Sequence, residues 1–238
     1  MADDGKARGG LSVTVDATEA LNKGTDFVIG VVDGPFTEIS GIVTDILKFV
    51  HDGPGRLALL ASQVYDKLKG RQLDGPTRQI PPKVGLPLLR AAVLEEDEQL
   101  RELWVALLAN AADAGSGIKV RRQYISILED LEPLDARCLL TIVEATTKDQ
   151  PKHELYFSNA DIEVATSALP DYVEVNPPRS SCDIDDPDPE VDLSLLNLRR
   201  LGLIESMTMW TGTALRFVKP TRLGVALVRA CTEPPRHG

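Results

Sequence analysis

The chain has 238 residues and a net charge of −10, with 43% hydrophobic residues but only 5% aromatic ones. That length suits one large domain or two small ones, needs no disulfide or metal to support a core, and leaves Leu, Val, Ile and Ala to build it. The acidic balance disfavours nonspecific attraction of the whole molecule to nucleic acid or anionic lipid.

In chain order, the first ten residues, MADDGKARGG, lack the apolar stretch of a signal peptide, and residues 1–15 read as a flexible tail. Residues 11–15 alternate briefly like a strand, and Asp16 with Glu19 has the spacing of a capping box. Two helices are predicted next, over 35–50 and 54–68, each with Pro at a first helical position. Ile39, Val43, Ile46 and Val50 share a face of the first, and Leu57, Leu60, Ala61, Val64 and Leu68 a face of the second. Residues 27–50 are the most apolar early stretch, but Asp33, Glu38, Asp45 and Lys48 interrupt it. It falls short of the roughly 20 predominantly apolar residues of a membrane span. The expectation is that Ile39, Val43 and Ile46 pack inside the bundle and that the resting protein is not membrane-inserted.

A polar linker over 70–79 holds the turn signal Gly75-Pro76 and leads to a short helix over 87–93. The strongest pattern follows: Leu100, Leu103, Trp104, Leu107, Leu108 and Ala111 form one apolar stripe, with Arg101, Glu102 and Asn110 off it. Glu95, Glu96, Asp97 and Glu98 crowd the start, where carboxylates suit the positive end of the helix dipole. Val120, Tyr124, Ile127, Leu128 and Leu131 mark another helix, and Pro133 opens one that runs to residue 145.

Beyond it, helices are predicted over 159–168 and 192–201, the latter closed by Gly202. Residues 203–209 and 214–218 read as extended runs around Thr211-Gly212, a hairpin turn. Thr221 then caps a last helix carrying Leu223, Leu227, Val228 and Cys231. Three helices and a hairpin is the order of a winged helix. The predicted fold is mainly α: a helical bundle over 16–131, then a winged-helix-like module with a small β-hairpin over 132–232, and a tail over 233–238.

The order of a Pro-Lys entry, an acidic helix start, the core L-W-x-x-L-L-A-N-A and the junction I-L-x-x-L-x-P-x-D resembles the bacterial Abi-alpha family of abortive-infection, phage-resistance proteins. The resemblance is best over 35–143 and rests on a packing pattern, not on catalytic residues. It implies a cellular role, limiting phage propagation at the infected cell's expense, and leaves the molecular mechanism open.

No constellation in the sequence carries chemistry. His51, His153 and His237 are too scattered for a metal site. Cys138, Cys182 and Cys231 are odd in number and lack CxxC spacing, as expected of reduced, non-catalytic thiols in a cytoplasmic protein. Asp183, Asp185, Asp186, Asp188 and Glu190 lack the order and the turn Gly of a calcium loop, and Pro187 and Pro189 interrupt them. There is no nucleophile elbow. The expectation is a protein that is no enzyme and takes no cofactor or metal.

One electrostatic contrast remains. From residue 193 onward, seven Lys and Arg face only Glu205 and Glu233, a net +5 that leaves −15 on the rest. Arg199, Arg200, Arg216 and Lys219 are the candidate contact residues for nucleic acid or a protein partner. The start of their helix, Asp192-Leu193-Ser194-Leu195, is a poor reader of DNA bases, and the acidic residues before it are placed to shield its cations. Three mechanisms follow from the sequence: protein contact with an unidentified, phage-encoded partner; nucleic-acid binding through the basic C-terminal module; and a conditional membrane effector that releases residues 27–50.

Overall fold

The computed structural model describes residues 22, 25–32, 44, 53–147, 162–177, 185–206 and 215–232. The expected tail over 1–15, most of the helix over 35–50, the packing of Ile39, Val43 and Ile46, all three histidines, Cys182 and the Thr211-Gly212 turn lie outside these residues. The described part is mainly helical with a small antiparallel sheet. It divides into two compact units, the division falling between Ile125 and Ser126.

The first unit contains a helical segment over residues 25–31. It also holds α1 (Gly53–Gly70), α2 (Pro82–Leu94), α3 (Glu98–Ala112) and a one-turn 3₁₀ helix, Ala114–Ser116. Helix α3 is its axis, packed by α1 and α2. Trp104, Leu107 and Leu108 are at most 1% exposed, as their stripe predicts, and meet a core of Leu57, Leu60, Val64, Leu68, Leu88 and Leu89. Phe27 enters the same core and contacts Tyr65 edge-on, at 5.6 Å between ring centroids. Asp97 caps α3, its carboxylate accepting from Leu100 N at 3.0 Å, and Glu95 accepts from the backbone N–H groups of Glu96 and Asp97. The acidic cluster thus satisfies donors that a helix start leaves orphaned.

Two expectations are corrected here. Asn110, placed off the apolar stripe, is 0% exposed, because α3 is buried on nearly every side from Leu103 to Ala112. Helix α2 begins at Pro82, five residues before the predicted start, and runs through Pro87. An internal proline costs about 3 kcal/mol, and burial of Leu88, Leu89, Ala92 and Val93 on its far side offsets that, at roughly 1.5–3 kcal/mol for each large side chain.

Helix α4 (Arg122–Glu129) carries the chain across the division. The second unit then runs α5 (Pro133–Thr147), β1 (Val164–Ala165), β2 (Glu174–Val175), α6 (Pro189–Arg200), β3 (Ile204–Glu205), β4 (Phe217–Pro220) and α7 (Arg222–Ala230). The strands form one sheet in the order β2-β1-β4-β3, every neighbour antiparallel, with Val164 opposite both Val175 and Val218 and Ile204 opposite Pro220. Helix α5 packs on α6, α7 and β4.

The predicted pairing of two extended runs after α6 is present as β3 and β4, but the predicted helix over 159–168 is not: Val164 and Ala165 are a strand. The run is too short for periodicity to separate helix from strand. Pairing with β2 and β4 decides it, extended by Thr166 N donating to Arg216 O at 3.0 Å, and the Thr166 hydroxyl adds a side-chain bond to Leu215 O at 2.7 Å. Helix α6 starts three residues earlier than predicted, with Asp188 as its cap, accepting from Glu190 N, and Pro189 at its first position. Gly202 follows it at φ 72°, a left-handed conformation that favours glycine. Thr221 caps α7 as expected, accepting from Gly224 N at 3.0 Å while its hydroxyl donates to Gly202 O at 2.6 Å. The first turn of α7 lies so close to the preceding chain that a Cβ on Gly224 would stand 2.2 Å from Leu203 O.

Candidate functional site

The four cations marked by the sequence occupy the second unit, and the fold engages three of them separately. Arg216, just before β4, donates from Nε to Asp186 Oδ1. That hydrogen bond holds the Asp186 carboxyl below its usual range, and Asp186 in turn raises the pKa of the guanidinium. Lys219, within β4, lies 3.6 Å from Glu205 on β3. Arg200, at the end of α6, donates to Asn197 Oδ1 at 2.9 and 3.0 Å and reaches Asp130 at 3.4 Å. Arg199 is exposed and makes no ion pair among the described residues.

These partners sit on different elements, so the cations do not converge on one acceptor. Among the described residues the acidic segment meets the strand and not the cations of α6 that it was expected to shield: Asp186 pairs with Arg216, and Asp192 Oδ1 accepts from Leu215 N at 3.0 Å.

Sequence reasoning missed the apolar feature between those charges. Leu193 is 68% exposed and Leu196 42%, while Leu195 and Leu198 on the opposite side of α6 are 0% exposed. The signal was present in L-S-L-L-N-L: a helix cannot turn residues 193 and 195, about 200° apart, to the same core. Glu190 is exposed at the acidic start of this face, and Arg199 and Arg200 at its basic end.

The residues that carry the family resemblance hold the fold together. In the junction I-L-x-x-L-x-P-x-D, Asp135 is 3% exposed and reaches back to Glu132 N at 3.0 Å, capping α5. Asn197 of α6 donates to the same Asp135 oxygen at 2.6 Å and to Asp130 O at 3.0 Å, tying the junction to α6. In L-A-N-A, the end of α3 leaves carbonyls without helical partners. Arg78 reaches in from the linker and donates to Ala111 O at 2.8 Å, Asn110 O at 3.0 Å and Ile118 O at 3.2 Å. Thr77 N and Arg78 N both donate to Ala112 O at 2.9 Å. Beside them Arg71 pairs with buried Asp113 at 3.1 Å.

Cys138 and Cys231 are free and buried. Burial pushes both thiols up, away from the reactive thiolate, although Ser194 partly opposes this at Cys138. No group of three or more His, Cys, Asp and Glu side chains fit to hold a metal occurs among the described residues. In the first unit, a cleft lined by Leu59, Leu60, Ala92 and Val93 and edged by the Arg56–Glu96 ion pair encloses about 160 Å³. Small-molecule sites usually occupy about 300–1,000 Å³, so this cleft is undersized for one. Among the described residues, no helix is long and apolar enough to cross a membrane.

Fold and site together define a mainly helical protein with a small antiparallel sheet, in which buried carboxylates and guanidinium groups bind one element to the next. The chain belongs to the abortive infection alpha family, whose model matches residues 55–231. Membership implies a part in abortive infection, a form of phage defence. The match starts later than the resemblance read over 35–143 and continues through the second unit to the end of α7. Comparison with curated proteins and with solved structures returned no match.

Proposed function

We propose that this protein is a non-enzymatic phage-defence factor of the bacterial cytoplasm that acts through protein contacts made by the exposed face of α6. The observation carrying this reading is the contrast on that helix: Leu193 and Leu196 stand in solvent while three of the four nearby candidate cations are already engaged by Asp186, Glu205, and Asn197 with Asp130. Exposed leucines within a rim of charge have the character of a protein interface core, whereas DNA affinity rests on cations available to phosphates. The acidic first turn of α6, Glu190 and Asp192, also opposes docking of its start in a DNA groove.

A phage challenge of expressing cells tests this, with phage yield and culture density followed together. Leu193→Glu with Leu196→Glu is expected to abolish protection, whereas Arg216→Gln with Lys219→Gln, both off α6, leaves it intact. The reverse pattern would favour nucleic-acid binding through the C-terminal module. Protection lost only together with infection-dependent membrane recruitment would favour a conditional membrane effector.

A further inference from the structure

We infer that the end of the first unit where α1 and α3 both finish docks on the phosphate backbone of a nucleic-acid duplex. This surface belongs to the other unit from α6 and works by charge alone.

The two helices end together. Arg71, just past α1, pairs at 3.1 Å with Asp113, just past α3, and Arg78 of the linker reaches Ile118 O at 3.2 Å. These ties gather residues 66–78 and 113–122, which carry seven Lys and Arg against Asp66, Asp74 and Asp113, a net +4 in a chain of net −10. Arg71 and Arg78 are committed within the fold. Lys69, Lys119 and Arg121 are exposed and Lys67 is half-buried, and none of these four makes an ion pair or side-chain hydrogen bond among the described residues. Lys67 and Lys69 also complement the negative end of the α1 dipole. Arg121 stands at the start of α4, where the dipole opposes a cation, and Lys119 lies between helices, so helix stability accounts for neither.

The acidic cluster at the start of α3 is too far away to cancel this charge. Helix α3 is 15 residues long, about 22 Å at 1.5 Å rise per residue, against a screening length of about 8 Å at physiological ionic strength.

The side chains around the cations decide the partner. The large apolar residues exposed in this unit, Ile29, Leu59 and Leu94, all fall outside residues 66–78 and 113–122. A protein interface needs an apolar centre and a membrane-surface helix an apolar face. Single strands are held by exposed aromatic rings on which bases stack, yet Tyr65 packs edge-on against Phe27 and Tyr124 is buried. Cations without apolar or stacking groups match a duplex, whose bases are already stacked and whose phosphates present about one charge per 1.7 Å of axis. Contact to about four phosphates makes the binding weak, independent of sequence and strongly salt-dependent.

Anisotropy of a labelled DNA duplex of about 20 base pairs, titrated with the full chain at about 50 mM and about 150 mM salt, reads the outcome. With four phosphates neutralised, log affinity falls against log salt with a slope of about −3.6, so binding is expected to weaken about fiftyfold between the two conditions. Lys119→Gln with Arg121→Gln should lower affinity at the lower salt by about tenfold or more and flatten the slope to about −1.8, with the thermal midpoint unchanged. Arg216→Gln with Lys219→Gln should stay within about threefold of wild type, since those cations are engaged in the other unit. Leu193→Glu with Leu196→Glu should also bind as wild type, so the outcome is independent of the α6 reading. No binding at the lower salt, a slope shallower than about −1, or a Lys119 and Arg121 variant that binds like wild type would overturn the proposal. Tighter binding to the single strand, to polyglutamate or to phosphatidylserine vesicles than to the duplex would overturn it as well, and would reassign the surface to that partner.

Discussion

Replacing Arg78 with Met keeps the aliphatic length of the side chain and removes the group that closes the end of α3. Three carbonyls lose a guanidinium donor, those of Asn110, Ala111 and Ile118. Asn110 O keeps the Ser116 hydroxyl at 2.9 Å, and Ala112 O keeps both backbone donors, those of residues 77 and 78, so the loss concentrates on Ala111 and Ile118. Hydrogen bonds from a charged donor contribute about 1.5–3 kcal/mol each, and a cation at a partly buried helix C-terminus adds about 0.3–2 kcal/mol. Arg78 is half-buried, so water reaches part of the vacated site and replaces some of this. The expected destabilisation is about 2–4 kcal/mol, by discounting the sum of those contributions for hydration. Arg78→Lys should recover less than half of it, since an ammonium lacks the planar fork that spans neighbouring carbonyls. Urea unfolding in a Trp210→Phe background, read by Trp104 fluorescence, isolates the first unit. Arg90→Met, at an exposed position of α2, serves as control and should stay within about 0.5 kcal/mol of its parent. A shift below about 1 kcal/mol for Arg78→Met would mean that water closes α3 as well as the guanidinium does, and would refute the argument.

Two further outcomes are expected. Gly224→Ala should destabilise the second unit by about 1–3 kcal/mol, the range of overpacked sites, because its Cβ would meet Leu203 O at 2.2 Å and backbone must move; an unchanged thermal midpoint would show that α7 does not approach so closely. Asp186, depressed by Arg216, contributes stability that is present above its ordinary pKa and is lost as pH falls through its lowered folded value, so the tie between the acidic segment and β4 holds at neutral pH and fails only in acid. Carbon NMR of the Asp186 carboxyl should show its titration midpoint move up in Arg216→Gln, and an identical midpoint in both proteins would mean that the pair does not form in solution.

Local signals in the sequence were legible where one physical requirement dominates. Trp104 and its stripe announce a buried helix, Thr221 announces a helix start, and Gly202 the end of α6, because each answers to neighbours within a turn or two. Requirements met by distant partners were not legible. Strand β1 exists because Val164 pairs with Val218, more than fifty residues away, which no periodicity over 159–168 records. Asn110 reads as a surface residue in isolation and is buried because α3 is covered on nearly every side from Leu103 to Ala112. The candidate cations were visible as charge, but their carboxylate partners depend on strand register and on how α6 meets the α4–α5 junction. The exposed leucines were hidden by abundance: four in six residues look like a core helix until each is assigned a side.

The linker between α1 and α2 has a consequence of its own. By composition it is a polar loop with a Gly75-Pro76 turn, the sort of segment that proteases nick and that tolerates added residues. Yet it is fastened at both ends: Arg71 to Asp113 at one, Thr77 and Arg78 to the end of α3 and Ile80 N to Val31 O at 2.7 Å at the other. Thr77 Oγ1 also accepts from Ala114 N at 2.9 Å. A segment held this way behaves as a strap, with its length fixed by the distance it has to cover. Tags, permuted termini and engineered insertions therefore belong away from residues 77–80, where one extra residue would pull several anchors out of register together.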